Sequence, residues 1–181
     1  IVTIVIVLLA LFVTAIYFPK LEKYVQIICM IPYTIQGVIL SVSILSLYVG
    51  SSSILSNRLV MLMGAYCIVI LPYIYQGIRN GMRAVNMPTL IEAAEMLGAS
   101  KIYAFFRVVV PNILSAIIVS SLLAVGIIFG DYVLIRNLAG TSAPNMQIFL
   151  YQTMKSDSTK ASAVFVVIMF VTFVITAIVL F

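Results

Sequence analysis

Residues 86–111 read NMPTLIEAAEMLGASKIYAFFRVVVP. The stretch is punctuated like two short helices. Pro88 suits the first helical position, where a missing N–H costs nothing. Glu92 and Glu95 fall in the first two turns, where the helix dipole favours acids. Leu90, Ile91, Ala94 and Leu97 recur at spacings of three and four, forming one apolar stripe. Gly98 stands where a C′ glycine ends a helix. Ser100 can cap a second helix through IYAFFRVVV, and Pro111 punctuates its far end. The pattern predicts a helix, a glycine turn and another helix. Two uses remain open from the residues alone. Alanine leaves little bulk and glycine redirects the chain, so the stretch can be a knob that a soluble partner approaches closely. Equally, it can be an amphipathic helix lying among lipid headgroups.

The flanks of this stretch are apolar. Of 181 residues, 64% are hydrophobic and only 8% are charged, with a mean hydropathy of +1.26. A water-soluble domain is nearer a quarter charged, so an ordinary soluble enzyme, a disulfide scaffold and a disordered chain are excluded. Runs of about 20 apolar residues cross a bilayer as helices. Five such runs are present, at about 1–18, 24–49, 59–78, 111–130 and 161–181. The expected fold is therefore all-α: a polytopic membrane helix bundle of about five transmembrane helices, with the 84–111 segment as a cytoplasmic helical loop. It is read as one transmembrane domain over 1–181, cut at both ends inside apolar runs. Pro32 and Pro72 are expected to kink the second and third crossings and free carbonyls toward a cavity.

Basic residues outnumber acidic ones, 10 to 5. They lie in short connectors between apolar runs, which fits the positive-inside rule rather than nucleic-acid binding. Lys20, Lys23, Arg79, Arg83, Lys101 and Arg107 share one side of the membrane; Arg58, Arg136, Lys155 and Lys160 share the other. The first side is therefore read as cytoplasmic, with residue 1 outside and residue 181 inside. Cys29 and Cys67 sit inside apolar runs as small apolar residues. There is no histidine, so no metal or haem site is expected.

Glu92-Ala93-Ala94, three residues, Gly98, nine residues, then Val108-Val109-Val110-Pro111 resembles the EAA loop of ABC-transporter permeases of the binding-protein-dependent import type. That family's pattern is E-A-A, three residues, G, nine residues, I-x-L-P, so Val108 and Val110 depart from it conservatively. The resemblance extends to the plan of the chain, with three crossings before the motif and two after. It implies a permease in a bacterial cytoplasmic membrane. In that family the loop docks on a cytoplasmic ATPase, two permease domains pair with two ATP-binding subunits, and an extracytoplasmic solute-binding protein delivers the substrate. Glu92, Ala93, Ala94, Gly98 and Pro111 are then the ATPase-coupling candidates.

A translocation path needs polar groups between the crossings, because polar groups facing lipid are costly. The candidates are Gln36, Tyr73, Gln76 and Asn80, with Tyr66 and the Ser41/Ser43/Ser46 run; each can equally make a helix–helix hydrogen bond. Ser41 and Ser43 point to different sides of one helix and cannot line the same path. Asp131 and Tyr132, at the outer end of the fourth crossing, can attract a cation. The alternative for Asp131 is a solvated acid or a pair with Arg136. The stretch FGDYVLIRNLAG, 129–140, is similar to permeases of the spermidine/putrescine branch and implies a polyamine substrate, although related iron and phosphonate importers share this look. A short helix is expected around Asn145–Lys155. A secondary transporter or channel is the competing function, but no acid lies near the middle of a crossing to couple ions. The chain has no phosphate-binding G-x-x-x-x-G-K-[ST] loop. No catalytic residue and no cofactor are expected, and ATP hydrolysis must belong to another chain.

Overall fold

The computed structural model describes residues 1–35, 37–48, 57–140 and 145–180. Among them every regular element is helical. The α-helices are α1 (Val2–Ile16), α2 (Glu22–Thr34), α3 (Gly37–Tyr48), α4 (Arg58–Ala84), α5 (Met87–Met96), α6 (Lys101–Ala104), α7 (Val110–Asn112), α8 (Leu114–Gly130), α9 (Met146–Ser156) and α10 (Ser158–Leu180). A 3₁₀ turn, Pro19–Leu21, precedes α2. Phe105–Val109 and Ile135–Ala139 are π-helical turns.

All five apolar runs become helices, but fewer of them are unbroken crossings than expected. Among the helices α4 is long and apolar enough to cross a membrane by itself. The second run is divided into α2 and α3, and meets that length only as a pair. Pro32 stays inside α2, which ends at Thr34, and α4 runs unbroken through Pro72. The stretch Val2–Ile16 is apolar but shorter, and α10 runs 23 largely apolar residues from Ser158 to Leu180.

The fourth crossing also starts later than expected. Pro111 does not end the helix that precedes it; the chain stays helical to Asn112 and bends by 65° before Leu114. The reason is local. Pro111 has no N–H to offer the carbonyl four residues back, and the ladder slips to a π turn just before it. The Val110 N–H donates to the Phe105 carbonyl. The Asn112 side-chain amide donates to the Val108 carbonyl at 2.8 Å, satisfying one of the carbonyls the proline disturbs.

The chain forms two compact units. The first comprises Ile1–Thr34 and Cys67–Ala124. Its core packs α1 on the π turn: the Phe12 and Phe105 rings lie 4.7 Å apart, centroid to centroid. Phe105 and Val109 are fully buried, as are Tyr75 and Ile78 of α4. The Glu22 carboxylate accepts from Arg79 at 2.7 Å and lies 3.6 Å from Arg83. This joins the first connector to the start of the third, as alternating crossings require.

Within this unit α4 and α8 cross at small residues. A Cβ on Gly77 would lie 2.7 Å from the Ser120 Cβ, and one on Gly81 would lie 2.5 Å from the Ala116 Cβ. Gly77 and Gly81 are four residues apart, as are Ala116 and Ser120, so each helix presents a flat small-residue face and the backbones approach closely. Ser120 is itself buried and donates its hydroxyl to the Ala116 carbonyl.

The second unit comprises Ile35–Tyr66 and Val125–Phe181. There α3 packs on the π turn at 135–139. The Asn137 amide donates to the buried Ser41 hydroxyl at 2.7 Å, while Ser43 is exposed. The helix expected near Asn145–Lys155 is α9, which packs against α10. Asp157 opens α10 by accepting the Thr159 and Lys160 amides at 3.0 and 3.3 Å. The Lys160 amide, then its ammonium, holds the Asp157 carboxyl below its ordinary value.

The small-residue crossing predicts a size limit. Gly77→Val should destabilise the folded state by about 1–3 kcal/mol through overpacking. Ser120→Gly in the same chain should recover most of that loss. Reversible unfolding in mixed micelles measures both; full additivity of the two changes would contradict the close approach.

Candidate functional site

The loop between α4 and α8 is built as two helical arms around a glycine. Asn86, with φ +49°, turns the chain out of α4. Met87 is the first residue of α5, so Pro88 is its second rather than its first. At the other end Gly98 has φ +83°. Its N–H donates to the Glu95 carbonyl at 2.9 Å, and the Ala99 N–H donates to the Ala94 carbonyl at 3.0 Å. Those two bonds are a Schellman cap, which needs a left-handed residue at this position. Ser100 then accepts from the Tyr103 N–H at 3.3 Å and starts α6.

The structure divides the five coupling candidates. Glu92, Ala93 and Gly98 are exposed. Ala94 is buried with Met87 and Ile91 on the inner face of α5, so it serves packing within the chain and offers no face to a partner. Pro111 sits past the π turn, one residue before the end of α7. Leu97 was expected on the inner stripe, but it is 89% exposed, beside Met96 at 90%. The helix ends at Met96, and Leu97 lies past the inner face formed by Met87, Ile91 and Ala94. The tip of the loop is therefore a pair of large apolar side chains in the open, which periodicity alone had hidden.

A second feature is a groove of about 590 Å³ along the α4–α8 crossing. Tyr73, Gln76 and Asn80 line it from α4, and Asn112 and Ser115 from the other wall. Gln76 and Asn80 are exposed, as are Asn112 and Ser115. The Gln76 amide reaches the Met30 sulfur at 3.1 Å, and Tyr73 stacks near Tyr33 with ring centroids 5.5 Å apart. Three sequence candidates are thus brought together. Asn112, the last residue of α7, and Ser115, at the start of α8, are additions that the polar pattern of the crossings does not mark. The G-x-x-x-G at 77–81 was the available signal for this crossing.

Asp131 and Tyr132 belong to the second unit and form their own cluster. The Tyr66 hydroxyl donates to the Asp131 carboxylate at 3.0 Å, and the Leu134 N–H donates to the same oxygen at 3.1 Å. Asp131 therefore caps the following helical turn and pairs with Tyr66, not with Arg136. Tyr132 packs on Tyr151 at 4.8 Å, and the Lys155 ammonium lies 4.8 Å from the Tyr151 ring centre. Gln36 lies outside the described residues.

Over residues 1–181 the chain matches a family described as the binding-protein-dependent transport system inner membrane component. It belongs to that family, and so is the membrane component of an ABC importer, working with an ATPase and a solute-binding protein. No curated protein matches the chain closely.

The cap at Gly98 makes a direct prediction. No atom lies within 4 Å of a Cβ built on Gly98, so substitution there costs backbone strain without a clash. Gly98→Ala should cost about 1–2 kcal/mol locally, and Gly98→Asn distinctly less, since asparagine tolerates the left-handed region. Hydrogen exchange at the Gly98 and Ala99 amides reports it, with faster exchange in the alanine variant.

Proposed function

We propose that this permease is driven through the tip of its 84–111 loop, by a cytoplasmic ATPase that receives Met96 and Leu97. The observation that carries the reading is the exposure of those two side chains at 90% and 89%. They stand beside the Gly98 cap on the connector that carries the E-A-A, G and terminal proline spacing. Two large apolar side chains at a capped helix end favour insertion into a partner's pocket, each burying apolar surface worth about 2 kcal/mol. Ala93 flanks them on the exposed surface.

Coupling then follows from connectivity. α5 continues from α4 across Val85 and Asn86, and α6 leads through the π turn and α7 into α8. A push on α5 thus bears on both helices of the small-residue crossing. ATP closes a pair of ATP-binding subunits, the loops of two paired permease domains move, and the path changes the side on which it opens. Hydrolysis resets it.

The path runs along the groove with Tyr73, Gln76, Asn80, Asn112 and Ser115. Exposed amides within membrane-crossing helices are costly against lipid, so they face water, solute or the second permease domain. We assign an organic cation of the polyamine class as the solute. Its support is the stretch FGDYVLIRNLAG, 129–140, together with the Tyr132–Tyr151 pair, where an ammonium already rests on the ring of Tyr151.

Two experiments test this. Leu97→Asp should weaken ATPase binding about thirtyfold, the equivalent of about 2 kcal/mol, and abolish ATP-driven uptake while the protein stays in the membrane. Retained co-purification and uptake would refute the docking role. Tyr132→Leu should lower uptake of labelled spermidine about tenfold, the size of one cation–π contact in a desolvated site. Uptake of an iron chelate or a phosphonate in place of spermidine would overturn the solute class.

A further inference from the structure

Behind α5 lies a cavity of about 540 Å³, within the usual range of about 300–1,000 Å³ for small-molecule sites. It belongs wholly to the first unit and is walled by the ends of α1 and α4, the start of α2, and α5. Its rim carries three cations, Arg79, Arg83 and Lys101, and three anions, Glu22, Glu92 and Glu95. Four of these six are committed to one another. Arg79 holds Glu22 at 2.7 Å, and Lys101 lies 3.8 Å from Glu95. Arg83, 63% exposed, shares Glu22 more loosely at 3.6 Å. Glu92 has no ion pair among the described residues. One loosely held cation and one unpaired anion therefore face a common space.

The remaining wall is apolar. Leu11, Ala15 and Ile16 of α1 line it, extending about 7.5 Å along the helix at 1.5 Å per residue. Tyr17 and Phe18 follow, both exposed, and then Lys20. Aromatic residues next to a basic one mark the headgroup level of a membrane helix. The cavity thus has balanced charge at headgroup depth and a greasy side that climbs into the hydrocarbon layer.

We propose that this cavity holds one zwitterionic phospholipid of the phosphoethanolamine kind. Arg83 takes the phosphate and Glu92 the ammonium, by charge-assisted hydrogen bonds, and an acyl chain lies along Ala15 and Ile16. An anionic headgroup would leave Glu92 beside a phosphate with nothing to pair it. A soluble zwitterion shares the headgroup chemistry but makes no use of the α1 wall. The bound lipid fills the space behind α5 and supports the loop from the membrane side.

Native mass spectrometry of the full-length permease, delipidated and then titrated with lipid, tests the assignment without any ATPase. A negative result would therefore not touch the coupling reading. Phosphatidylethanolamine should be retained about tenfold more tightly than phosphatidylglycerol, the size of one charge-assisted hydrogen bond. Soluble phosphoethanolamine at the same concentration should not displace it. Arg83→Gln should reduce retention of phosphatidylethanolamine about tenfold, and Glu92→Gln should erase the preference over phosphatidylglycerol. Ala15→Trp fills the apolar wall at an exposed position, leaves the charges intact, and should also release the lipid. Equal retention of the two lipids would overturn the proposal, as would unchanged retention in Arg83→Gln and Ala15→Trp. Displacement by soluble phosphoethanolamine would assign the site to a free zwitterion instead.

Discussion

The close crossing of α4 and α8 is the constraint on which the first unit depends. Gly77 and Gly81 meet Ser120 and Ala116 at distances that leave no room for a Cβ on either glycine. In a bilayer no hydrophobic force drives apolar helices together, because lipid is as apolar as leucine. Association comes from close packing and hydrogen bonds, and small residues are what allow backbones to touch. Because α4 and α8 are also the two helices that flank the 84–111 loop, their separation sets the span the loop must bridge.

The loop is adapted to that span by three local devices. Asn86 turns left-handed out of α4, Gly98 reverses the chain through a Schellman cap, and the π turn before Pro111 redirects it into α8. Phe105 and Phe12 tie its second arm to α1, and the Glu22–Arg79 pair ties the start of α2 to the end of α4. These two contacts lie away from the tip, which is left bare. That asymmetry is the physical basis for reading one side as a partner surface and the other as a lipid-filled support.

The polar groups of the two units serve different ends. Ser41 is used up in a helix–helix hydrogen bond with Asn137, and Asp131 in a bond with Tyr66 and a helix cap. Gln76 and Asn80 remain exposed along a groove. A polar residue in an apolar run is thus ambiguous until its neighbours are known, because the cost of burying it is the same whether a side chain, water or solute satisfies it.

The sequence by itself determined what depends on composition and short-range periodicity. The membrane class, the five apolar runs, the glycine-capped double helix at 86–111, the serine cap at Ser100 and the helix after Asn145 were all legible, because each follows from a few neighbouring residues. Tertiary structure alone decided the rest. A helical stripe assigns Leu97 and Ala94 to one face, yet at the end of α5 Leu97 stands in the open while Ala94 is inside. Pro111 reads as a terminator, yet a ladder that slips by one residue carries the helix past it. Which polar residues gather in one groove depends on how α4 and α8 cross, and that geometry arises from contacts some forty residues apart in the chain.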